Sequence, residues 1–194
     1  KVCVIDSGIQ EEHRWLEPAI DKDASRCFLP EVQPDDVSDY VAPRGHGTRV
    51  AGAVLYPREV PKEGEVQPVA CAGDQCLAKR QIGGMDGGTK IFNHSISESK
   101  PCEGKRMSSW AAKIDDLVHR SDKLFVQISG NLGPSEIFNS LSTGGTHPAH
   151  LLHENAKIAN PGQSLHALTV GSIAHSVVDG PVQQSFARSI GFPS

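Results

Sequence analysis

The stretch "VCVIDSG", Val2 to Gly8, decides how the rest of the chain is read. Val2, Cys3, Val4 and Ile5 are apolar in succession rather than in alternation, the pattern of a strand covered on both faces in a parallel sheet. Asp6, Ser7 and Gly8 stop it. Ligands of α/β sheets bind at the carboxyl ends of such strands, so Asp6 is a candidate site residue. A core strand directly after Lys1 implies a fragment whose natural N-terminus lies upstream.

A second stretch, "PRGHGTRVAGAV" from Pro43 to Val54, sets a histidine between two glycines. Gly45 and Gly47 permit a sharp turn and a close backbone approach. Thr48 suits the start of a helix. Val50 to Leu55 are small or apolar on every side, so this helix is expected to be buried all round, with His46 at its start and facing a cleft. Further strands are expected over 90–96 ("KIFNHSI"), 123–129 ("KLFVQIS") and 168–174 ("LTVGSIA"). A helix is expected from Ser108 or Ser109 to about Arg120, with Trp110, Ile114, Leu117 and Val118 on one face. Residues 10–44 and 57–89 read as loop and irregular chain. Strands alternating with helices give an α/β class with a mainly parallel sheet, as a single domain over 1–194. Ser95 and Asn131, like Asp6, then fall at strand ends.

Composition bounds the function. The 194 residues hold 38 % hydrophobic and 22 % charged residues with a net charge of −4, ordinary for a globular chain of one core. That charge offers no attraction for nucleic acid or an anionic membrane, and no apolar run approaches the ~18 residues of a spanning helix. Five cysteines, an odd number, fit free thiols better than a paired disulfide framework. This points to a reducing, cytoplasmic setting, with secretion as the alternative. Cys71 and Cys76 remain open to bridging or metal binding, although their gap is loose for zinc and lacks a second pair.

Asp6, His46 and Asn131 are an acid, a base and an amide donor in that chain order. Acyl transfer by a serine needs each type. The hydroxyl requires a neighbouring base, and histidine titrates near ~6.5. A buried carboxylate fixes the imidazole tautomer and stabilises its charged form, and a fixed N–H donor stabilises the oxyanion.

Six segments in order resemble the subtilisin-like serine proteases, the subtilases of peptidase family S8. "VCVIDSGI" resembles their catalytic-Asp segment and "HGTRVAGAV" their H-G-T-H-V-A-G histidine signature. "FNHSIS" resembles the strand lining their substrate cleft, "QISGNLG" their A-x-G-N oxyanion segment, and "ALTVGSIA" with "SFARSIG" the segments that follow. The resemblance implies a three-layer subtilisin-like fold lacking its C-terminal part and a serine endopeptidase acting on polypeptides. It implies catalytic roles for Asp6, His46 and Asn131, and substrate contacts at His94, Ser95, Ile96, Ser97, Ser129 and Gly130.

Departures qualify this. Arg49 stands where the family has a second, non-catalytic histidine, and Ser97 where a glycine is usual in the cleft strand. The nucleophile's G-T-S-M segment occurs nowhere in the 194 residues. The fragment is therefore expected to be inactive and to self-associate through surface bared by truncation. The alternative function is a catalytically dead module of the same fold that binds extended peptides. A phosphate- or metal-dependent hydrolase led by Asp6 would need a second acid nearby, which "DSGIQ" does not offer. No cofactor is called for, although the family often carries calcium. Asp35, Asp36 and Asp39 read as a solvated loop in preference to a calcium site, lacking the Gly and final Glu of a calcium loop. His147, His150 and His153 read as a solvated helix with Leu151 and Leu152 turned inward in preference to a metal site.

Overall fold

The computed structural model describes residues 1–39, 45–57, 77–79, 88–102, 104–144, 149–171, 176–177 and 189–190. The chain forms two compact units: Lys1–Ile96 with Arg120–Val126, and Ser97–His119 with Gln127–Ser194.

In the first unit the central strand is β1, Val2–Ile5. Its consecutive side chains Cys3, Val4 and Ile5 are all buried, so both faces are covered, as the apolar run requires. Parallel neighbours flank it: β2, Leu77–Lys79, on one side and β3, Ile91–His94, on the other. Strand β4, Leu124–Ile128, follows β3 in the sheet order. Phe92 of β3 and Phe125 of β4 stack with ring centroids 4.9 Å apart.

Helix α1, His46–Leu55, packs against β1. Gly45 precedes it at φ +92°, a turn that a side chain would strain. It ends where Tyr56 N–H returns to Gly52 O, just before Pro57. It is not buried all round, as expected above: Gly47 and Ala51 are buried, Val50, Val54 and Leu55 pack on the core at its margin, and Arg49 and Ala53 are exposed. The small residues serve close approach on one face rather than burial on every face. The core beside it consists of Val4, Ile9, Leu16, Val37 and Ala51.

The second unit carries α2, Ser109–Arg120, whose last residue lies in the first unit. Ser108 caps it, its Oγ accepting from Ala111 N–H at 3.0 Å. A further helix, α3, Pro134–Ser142, was not expected. Its signal was present: proline at the first helical position and Glu136, which accepts from Gly133 N–H at 3.0 Å, half of a capping box. Strand β5, Leu168–Val170, matches the start of the expected 168–174, of which residues 172–174 lie outside the described residues, and lies beside β4 in the sheet order. A small antiparallel pair joins β6, Ser176–Val177, to β7, Ser189–Ile190.

The helix expected around His147–His153 is instead two 3-10 turns, Ala149–Leu152 and Glu154–Ala156. His153, extended at φ −66°, ψ 149°, separates them. No face forms, and Leu151 and Leu152 are exposed rather than turned inward. His147 and the Cys71–Cys76 segment lie outside the described residues. Cys3, Cys27 and Cys102 are not bridged in disulfides. Among the described residues no helix is long and apolar enough to cross a membrane.

Asp115 of α2 anchors the chain ahead of β5. Its carboxylate accepts from Ser164 Oγ at 2.5 Å, His166 N–H at 2.9 Å and Leu165 N–H at 3.2 Å. Burial penalises its charge, but these bonds and the nearby His166 outweigh that penalty and hold the carboxyl below its ordinary 3.8. Since folding lowers this value, the stabilisation is present in full above 3.8 and is lost as pH falls through the folded value. Thermal unfolding of wild type against Asp115→Asn should show a stability difference that is present at about pH 5 and shrinks as pH falls below 3.8. A difference that grows as pH falls below 3.8 would contradict this assignment.

Candidate active site

Asp6 continues directly from β1 and is 2 % exposed. Its Oδ1 accepts from Ser7 N–H at 2.7 Å and lies 2.7 Å from His46 Nδ1. A carboxylate only accepts, so Nδ1 carries the proton of this bond. That fixes the tautomer and leaves Nε2 as the unprotonated nitrogen of a neutral ring. The His46 side chain is 44 % exposed against 2 % for Asp6. The ring is thus tethered at a buried oxygen and open at its far edge, the arrangement of a general base.

The pair depends on a tight fit between backbones. A Cβ on Gly47 would stand 2.0 Å from Gly8 O and 3.0 Å from Asp6 Cβ. Only glycine lets the first turn of α1 approach the end of β1 this closely. Thr48 Oγ1 accepts from Gln10 N–H at 3.0 Å and Tyr56 Oη donates to Trp15 O at 2.8 Å, fastening both ends of α1 to the chain after β1.

The other predicted residues divide between the units. In the first, His94 sits opposite Ile5 in the β1–β3 register and is 1 % exposed; its ring lies within the wall and offers no surface to a substrate in this structure. Ser95 N–H donates to Ile5 O at 3.0 Å, extending the β1–β3 ladder, and its Oγ accepts from Asn93 Nδ2 at 2.7 Å. Ile96 is half-buried in irregular chain.

In the second unit, Ser97 is half-buried. Both backbone groups of Ser129 are engaged, N–H to Val170 O at 3.0 Å and C=O from Ala159 N–H at 2.8 Å. Gly130 at φ +105° rests against Ala159, and Asn131 is exposed. The structure thus joins Asp6 to His46, and it fixes the chain ahead of Asn131 within its own unit.

Sequence reasoning missed Ser7 and Asp39. Asp39 was read as solvated, yet it is 6 % exposed and accepts from Ser7 Oγ at 2.8 Å. Alternation held the clue: Val37 and Asp39 are two apart, so in extended chain they share a face, and Val37 is a core residue. Asp35 is exposed as expected.

A family model described as the Subtilase family, Peptidase_S8, matches residues 1–185. A curated protein, "Uncharacterized protein y4bN" of Sinorhizobium fredii (strain NBRC 101917 / NGR234), is 32 % identical over 89 residues, covering 45 % of this chain and 20 % of its own length. The crystal structure of the epidermin leader peptide processing serine protease EpiP from Staphylococcus aureus superposes with a TM-score of 0.52 at 18 % identity, over 89 % of this chain and 46 % of that one. This likeness is one of fold. The chain spans less than half the length of either relative.

Gly47→Ala is expected to destabilise the chain by about 1–3 kcal/mol through overpacking. Gly52→Ala lies one turn further along the same helix, where a Cβ meets nothing within 4 Å. It should stabilise by about 0.5–1 kcal/mol. Urea unfolding of the two variants checks the opposite signs, and equal effects would contradict the close approach described.

Proposed function

The chain belongs to the subtilase family, and on that premise we propose that the protein it comes from is a serine endopeptidase using Asp6 and His46 as two members of its triad. The observation that carries this reading is the 2.7 Å contact between His46 Nδ1 and the buried Asp6 Oδ1, which leaves the opposite ring nitrogen free to take a proton.

In the proposed mechanism His46 Nε2 removes the proton of a serine hydroxyl as that oxygen attacks the scissile carbonyl. Asp6 stabilises the imidazolium that forms and does not itself take up the proton. The Asn131 amide donates to the developing oxyanion. An extended polypeptide lies along the chain after β3, near Ser95 to Ser97, with Ser129 and Gly130 positioning the segment that carries Asn131. The nucleophile is supplied by sequence outside these 194 residues, which contain no G-T-S-M segment. The 194-residue chain alone therefore does not complete the cycle.

A fluorophosphonate probe, which labels activated serines, should label the whole protein and leave the 194-residue chain unmodified. His46→Ala should abolish labelling, Asp6→Asn should lower kcat by about 10⁴-fold, and Asn131→Ala should lower it by about 10²–10³-fold. Stoichiometric labelling of a serine within the 194 residues would overturn the placement of the nucleophile. A whole protein that binds peptides without being labelled would establish the inactive-module alternative instead.

A further inference from the structure

Asp39 has no part in the triad chemistry, yet it is a buried carboxylate in contact with Ser7, the residue after Asp6, and with the N–H of Thr48, two residues beyond His46. We propose that Asp39 is a positioning residue: by holding the Ser7 hydroxyl and the first turn of α1, it keeps Asp6 Oδ1 free to serve His46. This rests on the reading of Asp6 and His46 as catalytic.

Three observations carry the proposal. First, Asp39 is fixed from its own side. Ile9 N–H donates to Val37 O at 2.9 Å, Val37 is packed in the core, and a Cβ on Gly8 would lie 2.3 Å from Asp39 Cα. Residues 37–39 are therefore clamped along residues 7–9. Second, its carboxylate reaches two segments of the site. Oδ1 accepts from Ser7 Oγ–H at 2.8 Å, and Oδ2 lies 3.4 Å from Thr48 N–H. Thr48 is the third residue of α1, and Gly45, at the N-cap, has no side chain to accept from the free N–H groups of that turn. Asp39 supplies the missing acceptor from another segment, where a negative charge is also favoured by the helix dipole.

Third, Ser7 Oγ lies between two acceptors and has one hydrogen to give. It is 2.8 Å from Asp39 Oδ1 and 3.1 Å from Asp6 Oδ1. The shorter bond takes the hydrogen to Asp39, leaving Asp6 Oδ1 with two donors, Ser7 N–H and His46 Nδ1–H. Without Asp39 the hydroxyl turns to Asp6 Oδ1 and becomes a third donor on the oxygen that His46 uses. The His46 bond then weakens, and the start of α1 loses its acceptor at the same time.

The test is the low-field Nδ1–H resonance of His46 in the full chain labelled with ¹⁵N-histidine, read beside thermal unfolding and, in the whole protein, steady-state kinetics. Asp39→Ala should move or broaden that resonance and lower kcat by about 10- to 100-fold with KM unchanged. Asp39→Asn, which keeps an acceptor for Ser7, should recover most of the signal. Should Asp39→Ala fail to fold, Asp39→Asn read with and without Ser7→Ala decides: any shift it causes should be larger with Ser7 present than on the Ser7→Ala background, the difference being the share carried by the hydroxyl. A His46 resonance unmoved by Asp39→Ala in a folded chain, or moved by Asp39→Asn as far with Ser7→Ala as with Ser7 present, overturns the proposal. If the resonance responds as expected but the wild-type whole protein hydrolyses no peptide, the endopeptidase reading fails while the positioning of His46 by Asp39 stands.

Discussion

The 2.7 Å contact between Asp6 and His46 is the constraint around which the first unit is arranged. It joins residues 40 positions apart in sequence, and neither the end of a strand nor the start of a helix would hold it alone. Each polar member is placed by an apolar neighbour in the core. Val4 lies two residues before Asp6, Ile9 two after Ser7, Val37 two before Asp39, and Ala51 one turn beyond Gly47. Burying side chains of this size contributes about 1.5–3 kcal/mol for each Val, Leu or Ile. Hydrophobic packing, which has no direction of its own, thereby fixes the separation of groups whose hydrogen bonds do have direction.

The second unit solves a comparable problem around Asn131 by backbone bonding. Ser129 uses both of its main-chain groups, and Gly130 turns at a positive φ against Ala159. The neighbouring Asn160 is buried and bonded through three groups: its carbonyl accepts from Glu98 N–H, its Nδ2 donates to Glu98 Oε1 at 2.9 Å, and its Oδ1 accepts from Ser108 Oγ. Buried polar groups bonded in this way rigidify their surroundings. The exposed Asn131 thus follows a firmly held stretch of chain, which suits the oxyanion role proposed for it.

Much of this was legible in the sequence, for specific reasons. An unbroken apolar run identified β1, and the glycines around His46 announced a close approach before its partner was known. The cap and apolar face of α2 placed that helix to within a residue. What escaped depended on long-range geometry or on weaker signals. Strand β2 has three residues and no periodicity to find. The small residues of α1 looked like all-round burial because clearance on one face and packing on all faces use the same residue types. Asp39 looked solvated because three nearby aspartates resemble a polar loop, and only the two-residue offset from Val37 revealed its inward face. The 3-10 turns near His153 defeated a helical reading because a single extended residue interrupts them.

The most direct measurement is a crystal structure of the whole protein with a peptide aldehyde bound at its nucleophile. The account predicts a hemiacetal on a serine from outside these 194 residues, that serine's Oγ within about 2.6–3.2 Å of His46 Nε2, Nδ1 still on Asp6, and the Asn131 amide directed at the hemiacetal oxygen. Adduct formation at a group away from His46, or a His46 Nε2 edge facing no nucleophile while Asp6 and His46 remain paired, would contradict it.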